Sequence, residues 1–134
     1  MAEQSQQTDQ SQPQPQVEFV RHEDFESLYA NSIVAETSVW DLKVIFGILD
    51  QSSTPNKVIQ HTSVNLPWTQ VKLLSYYIRL NLLLHETQNG KVAIPASIMP
   101  PDPDKLDLSA FSAELREALS ALYEEFVTTL RCRR

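Results

Sequence analysis

The segment between Leu66 and Gly90 constrains the fold more than any other part of the sequence. It predicts a helix that opens at Leu66-Pro67 and runs to about Thr87, because proline suits the first helical position and Asn89-Gly90 is a typical stop. Two apolar stripes follow the helical period: Val71, Leu74, Ile78, Leu82 and His85 on one, and Leu73, Tyr77, Leu80 and Leu84 on the other. With Tyr76 and Leu83 added, the C-terminal half is apolar nearly all round. Such a helix is usually covered on more than one side. We expect one side to face a sheet and the other to meet the C-terminal helix or another subunit.

The residues before this helix alternate between apolar and polar, as half-buried strands do. The predicted strands are 29–37, 42–49 and 57–64, with turns at 38–41 and 50–56. The second is apolar on both faces, which favours a central position, and Gly47 within it indicates a bulge or a close approach by another element. Short connections favour an antiparallel meander, because parallel strands need long crossovers.

The C-terminal third predicts a linker and a second helix. Residues 91–98 fit either a short fourth strand or an extended arm, and prolines make 99–104 a stiff extended segment. A helix then starts near Asp107 or Ser109, either of which can cap it. Its apolar stripe is Phe111, Leu115, Ala118, Leu119, Leu122, Phe126 and Leu130, opposite Ser112, Glu114, Arg116, Glu117, Glu124 and Glu125.

These elements predict an α+β fold. A three- or four-stranded antiparallel meander packs on a long helix, and an amphipathic C-terminal helix follows a proline-rich linker. The predicted organisation is a disordered glutamine-rich tail at 1–16 that could extend to about residue 26, an α+β domain at 27–98, a linker at 99–106 and a helix at 107–134. The tail holds too few apolar residues to offset the entropy of ordering it.

Composition excludes several classes of function. The two glycines, Gly47 and Gly90, are too far apart for a dinucleotide or phosphate loop. A single cysteine, Cys132, excludes an internal disulfide framework and a cysteine-clustered zinc site. No window is long and apolar enough to span a membrane. We therefore expect no cofactor, no membrane association and, without an export signal, a cytosolic location.

The net negative charge of the chain is weak evidence about its binding partners. Of the net charge of −6, −5 lies within residues 1–26. The expectation that the protein does not bind nucleic acid therefore rests on the scatter of its basic residues, since no basic patch is interleaved with aromatics.

No catalytic or metal constellation emerges from the spacing. His22, His61 and His85 have no partners at ligand spacing, and Cys132 has no paired base although two arginines follow it. Trp40 is interpreted as a plug at the sheet edge beside an Asp41 that accepts backbone N–H groups. The residues expected to serve structure or partner contact are Tyr29, Asn31, Trp40, Asp41, Trp68, Tyr77, Phe111, Leu115, Leu122 and Phe126. Asn31, polar in an apolar strand, is expected to close a local hydrogen bond.

Two stretches carry a family resemblance. The first holds Tyr29-Ala30-Asn31 and the run from Ser38-Val39-Trp40-Asp41 to Phe46-Gly47, and the second is Leu66-Pro67-Trp68 continuing to Leu74. Together they resemble a widespread prokaryotic family of short proteins of unknown function, over about residues 28–86. The chain departs from that pattern at Val39 and Leu66, where proline and serine are common. The resemblance implies a fold and no catalytic residues.

The leading functional hypothesis is a non-enzymatic cytosolic protein that acts through protein–protein contact and self-associates. The layout of elements is also similar to that of SecB-type export chaperones, which makes a holdase the alternative. A small-ligand-binding or enzymatic domain would instead need a pocket around Trp40, Asp41 and His61.

Overall fold

The computed structural model describes residues 16–130. Its elements are β1 (Ser32–Thr37), β2 (Asp41–Asp50), β3 (Lys57–Pro67), α1 (Trp68–Asn89), two short 3-10 helices, η1 (Ala96–Ile98) and η2 (Pro103–Lys105), and α2 (Ala113–Leu130). The strands form one antiparallel sheet in the order β1-β2-β3. The predicted α+β class and meander are confirmed, with three strands and with β2 central.

By their contacts the described residues fall into two compact units. The first comprises residues 16–33 and 46–62, and the second comprises residues 34–45 and 63–130. The first unit holds the β2–β3 turn, and the second holds the β1–β2 turn and both α-helices.

Pro67 is the last residue of β3. Its backbone is extended, with φ −61° and ψ 150°, so it precedes α1 and is not the first helical residue as predicted. Strand β3 therefore continues past the predicted end at Val64, and the chain passes from strand to helix without a loop.

The end of α1 is closed by Gly90 and Glu86. Gly90 has φ 86° and donates its N–H to the Glu86 carbonyl at 3.0 Å, a conformation that suits glycine because it has no Cβ. The Glu86 carboxylate accepts from Lys91 Nζ and from the Val92 N–H, each at 3.0 Å. The structure has no strand within residues 91–98, so the alternative of a fourth strand there is wrong. The described chain has η1 there.

Helix α2 begins later than predicted. Asp107 uses its carboxylate to accept the Ser109 N–H in a turn, at 3.1 Å. The cap is Ser112, whose Oγ accepts the Leu115 N–H at 3.2 Å. The predicted starts at Asp107 and Ser109 are therefore wrong, and Phe111 lies before the helix.

The segment before α2 is not simply extended. Asp102 accepts the Asp104 N–H at 3.0 Å and opens η2. Helix α2 packs on η2, and Ser120 Oγ donates to Asp104 Oδ1 at 3.1 Å. The linker thus serves as the support for one side of α2.

The described residues contain no buried apolar side chain. Gly47 is the one buried residue among them, and it has no side chain. The apolar side chains of the sheet and of α1 remain in contact with solvent. Residues 1–15 of the predicted tail, and Cys132, lie outside the described residues.

Candidate interaction surfaces

Ser38 organises the turn between β1 and β2. Its N–H donates to the Asp41 carbonyl at 2.9 Å. Its Oγ accepts the N–H groups of Trp40 and Asp41, at 3.1 and 3.0 Å, and donates to Asp41 Oδ1 at 2.5 Å. One hydroxyl therefore accepts hydrogen bonds from two backbone N–H groups and donates one to a carboxylate, as serine does in local turns.

The second oxygen of Asp41 ties this turn to β3. Asp41 Oδ2 accepts from Asn65 Nδ2 at 3.1 Å. The pKa of Asp41 is held below its ordinary value, chiefly because the Ser38 hydroxyl donates to the carboxylate, and further by Asn65 and by the charge of Lys43. The Asp41 carboxylate therefore accepts from two side chains, those of Ser38 and Asn65, whereas the backbone N–H of Ser38 donates to the Asp41 carbonyl.

Trp68 ties the same turn to α1. Its indole Nε1 donates to the Ser38 carbonyl at 3.2 Å. Since Trp68 is the first residue of α1, this bond sets the turn against the start of the helix. We call residues 38–41 with Asn65 and Trp68 the locked turn.

Two apolar side chains stand out from the locked turn into solvent. Val39 is 85% exposed and Trp40 is 84% exposed. The interpretation of Trp40 as a plug at the sheet edge is therefore wrong for the described chain. A tryptophan on a backbone held by several hydrogen bonds loses little freedom when a partner covers it, and tryptophan is a typical anchor of protein interfaces.

Asn31 and His61 are both engaged with the backbone in the first unit. Asn31 Oδ1 accepts the Leu49 N–H at 2.8 Å, a bond between residues distant in sequence rather than the local bond expected. His61 Nε2 donates to the Tyr29 carbonyl at 2.9 Å, so Nδ1 carries no proton in the neutral ring and accepts from Thr62 Oγ1 at 2.8 Å. Both ring nitrogens have protein partners, which leaves the ring no position for a metal.

Gly47 lies at a close approach between β2 and β3. A Cβ at this position would stand 2.8 Å from the Ile59 carbonyl oxygen, 3.0 Å from Val58 Cγ1 and 3.2 Å from Gln60 Cα. The predicted close approach at Gly47 is confirmed, and the neighbour is the backbone of β3.

Helix α1 carries many of the exposed large apolar side chains of the second unit. The α1 apolar surface consists of Leu73, Leu74, Tyr76, Tyr77, Ile78, Leu80, Leu82, Leu83 and Leu84, whose exposed fractions run from 36% to 60%. Tyr76 and Tyr77 make an edge-to-face contact, with ring centroids 5.4 Å apart. Neither apolar stripe of the helix is buried.

Helix α2 meets α1 through a polar contact. Arg79 donates to the Glu125 carboxylate, and both side chains are more than half exposed. Of the predicted residues on α2, Leu115 and Leu122 are exposed and Phe126 is half-buried, and Phe111, before the helix, is 45% exposed.

Other polar clusters in the described chain are exposed, and their side chains make hydrogen bonds within the cluster. The ligand atoms of His22, Glu23 and Asp24 lie within 4.8 Å of one another on the surface. His22 Nδ1 accepts the Asp24 N–H at 3.1 Å, so this group is a local turn. His85 Nδ1 lies 3.3 Å from the Asn89 side-chain nitrogen.

Ser38 and Asn65 were missed by the sequence reasoning as organisers of the site. A serine that opens a turn before an aspartate is a recognisable signal, since its hydroxyl caps the backbone groups that follow. Asn65 carries no such signal, because its contact with Asp41 depends on the register between β2 and β3.

The sheet, the locked turn and α1 together define a short α+β protein with apolar surfaces that its own described residues leave open. The chain belongs to DUF3467, a family described as protein of unknown function, whose model matches residues 1–94. The match takes in the sheet and α1, and α2 follows it. This confirms the expected membership of an uncharacterised family.

The other comparisons add no relative. Neither the curated proteins nor the solved structures contain a significant match to the chain. No comparison supports the likeness to SecB-type chaperones. Among the described helices, none combines the length and the hydrophobicity that a membrane span requires.

Proposed function

We propose that the protein acts through protein–protein contact, as a non-enzymatic module that self-associates. The observation that supports this is the exposure of its apolar side chains. Within residues 16–130 none is buried, although α1 alone carries ten large apolar side chains that are exposed to solvent, the nine of the α1 apolar surface and Trp68.

The physical argument is one of free energy. Ordering a residue costs about 1–2 kcal/mol of backbone entropy, and burial of apolar side chains is the main term that offsets it. A chain that orders a sheet and two helices while its described apolar side chains stay half-buried or exposed gains only part of this term. A partner that covers those side chains supplies more of it, as in obligate assemblies whose subunits have no stable folded monomer.

A further copy of the same chain is the simplest partner, because most assemblies of soluble proteins are symmetric homo-oligomers. The charge of the chain is compatible with this arrangement. Most of the net negative charge lies within residues 1–26, so the sheet and the helices of two copies do not repel strongly.

The test is the mass of the full chain in solution. We expect light scattering coupled to size exclusion to give a multiple of 15.3 kDa at tens of micromolar. A mass of 15.3 kDa across that range would overturn the self-associating part of the proposal.

A holdase is the second candidate, and the locked turn favours it. Val39 and Trp40 are more exposed than any side chain of the α1 apolar surface, so they remain available for a second, apolar partner. The candidate predicts that the protein suppresses the aggregation of an unrelated unfolded client. Replacing Trp40 with serine should weaken that effect, and an absence of suppression at excess protein would remove the candidate.

A further inference from the structure

One stripe of the α1 apolar surface has a spacing that is the same in both directions along the helix. Leu73, Tyr77, Leu80 and Leu84 lie on one side of α1, because steps of four, three and four residues keep to one helical face. Their exposed fractions are 50%, 55%, 36% and 52%. We call these four residues the central stripe.

The midpoint of the central stripe coincides with the midpoint of the helix. Both fall between Ile78 and Arg79, since α1 runs from Trp68 to Asn89. An antiparallel copy of α1 turned about that point places Leu73 against Leu84 of the other copy. It also places Tyr77 against Leu80, a large side chain against a smaller one.

We propose that a second copy of this chain covers the central stripe, with the two α1 helices antiparallel about a twofold axis between Ile78 and Arg79. This inference rests on the proposed self-association and names its contact. Antiparallel packing also opposes the two helix dipoles, whereas parallel packing would bring like ends together.

The apolar area on the side of the central stripe is within the range that such an interface needs. The flanks of the stripe are Leu74, Tyr76 and Leu83, which lie within about 90° of it around the helix. If a fully exposed large apolar side chain offers about 200 Å², the stripe and its flanks expose roughly 700 Å² on each copy. A standard stable interface covers about 600–1,000 Å² on each partner.

The chain's own second helix does not occupy the central stripe. Helix α2 packs on η2, and its ion pair with α1 is made by Arg79. At 100° per residue, Arg79 lies roughly 130° around α1 from the central stripe. The stripe therefore remains open to a second copy while α2 stays on its own side.

Crosslinking between engineered cysteines tests the pairing. Cys132 is first replaced with serine, and Leu73→Cys and Leu84→Cys are made as separate chains carrying different tags. Each chain is treated with a short bifunctional thiol reagent, alone and after co-expression with the other. We expect covalent dimers from the mixture and only background from each chain alone. The pair K72C and H85C obeys the same symmetry away from the stripe, and it should not crosslink.

A second pair guards against variants that fail to fold. Thr69→Cys and Gln88→Cys stand at the two ends of α1, in the same symmetric register, and replace exposed polar residues. Circular dichroism and the solution mass of each variant must match those of the parent chain before crosslinking is scored. The mixture of this pair should again crosslink.

The outcomes separate this inference from the function on which it rests. Strong crosslinking of Leu73→Cys with itself would indicate parallel helices and overturn the inference. Oligomeric chains in which neither mixed pair crosslinks would place the contact elsewhere, and self-association would stand. A parent chain that is monomeric by light scattering would overturn both.

Discussion

Replacing Gly47 with alanine tests the account of how β3 approaches β2. The new Cβ would stand 2.8 Å from the carbonyl oxygen of Ile59 and 3.0 Å from Val58 Cγ1. The first of these neighbours is backbone and cannot rotate away. One strand must therefore move by a few tenths of an ångström, at the one buried residue of the described chain.

The expected loss of stability follows from two opposing effects. Overpacking a close contact costs about 1–3 kcal/mol, because neighbouring atoms must shift. Alanine also restricts the unfolded chain, which returns about 0.4–1 kcal/mol. Taking the middle of each range, about 2 and about 0.7 kcal/mol, we expect Gly47→Ala to lower the free energy of unfolding by roughly 1.3 kcal/mol. For a domain of this size that corresponds to a fall in Tm of roughly 5 °C.

The measurement is thermal and urea unfolding followed by circular dichroism. Protein concentration is held constant, because stability depends on concentration in a self-associating protein. The control is the pair V58A and G47A/V58A, in which the side-chain obstacle is removed and the Ile59 carbonyl stays. Most of the destabilisation should persist in the double variant relative to V58A. A Gly47→Ala chain as stable as the parent would refute the close approach.

Three further predictions concern the polar contacts of the second unit. Ser38→Ala removes the acceptor of two backbone N–H groups and should cost about 1 kcal/mol in urea unfolding, whereas Ser38→Thr should restore most of it. The folded pKa of Asp41 lies below the ordinary 3.8, so its contribution to stability is present above that pH and is lost as the pH falls below it. Acid titration of Asp41→Asn should show a smaller loss of stability over this window, and an unchanged loss would contradict the assignment. Glu125→Gln removes the ion pair with Arg79, and because both side chains are largely exposed the free energy of unfolding should change by less than about 0.5 kcal/mol.

The elements that the sequence located well are those whose signals are local. The helical period and the Asn89-Gly90 stop placed α1 to within two residues at its C-terminal end. Strand β2 was placed to within one residue at each end, because its apolar run is bounded by turn residues. The family resemblance rests on the same stretches and is confirmed.

The errors arose where several local signals compete. Asp107, Ser109 and Ser112 are all good helix caps, and the choice depends on which of them can use its side chain for α2. The Asp107 carboxylate accepts the Ser109 N–H in an earlier turn, so α2 begins only after Ser112, whose hydroxyl caps it. For residues 91–98 the sequence left a short strand and an extended arm as alternatives, and in the structure the Glu86 carboxylate accepts the Val92 N–H at the start of that segment.

The features of the candidate surfaces also differ in whether they depend on local sequence or on the tertiary structure. The sequence alone determined the apolar stripes of α1, the turn at 38–41 and the special position of Gly47, because these depend on residues close together in the chain. Only the tertiary structure decided that Asp41 pairs with Asn65, that Trp68 binds the Ser38 carbonyl and that Trp40 faces solvent. These facts depend on strand register and on where the chain turns back on itself. A periodic pattern indicates which side chains share a face, and only the fold decides whether another part of the same chain covers that face.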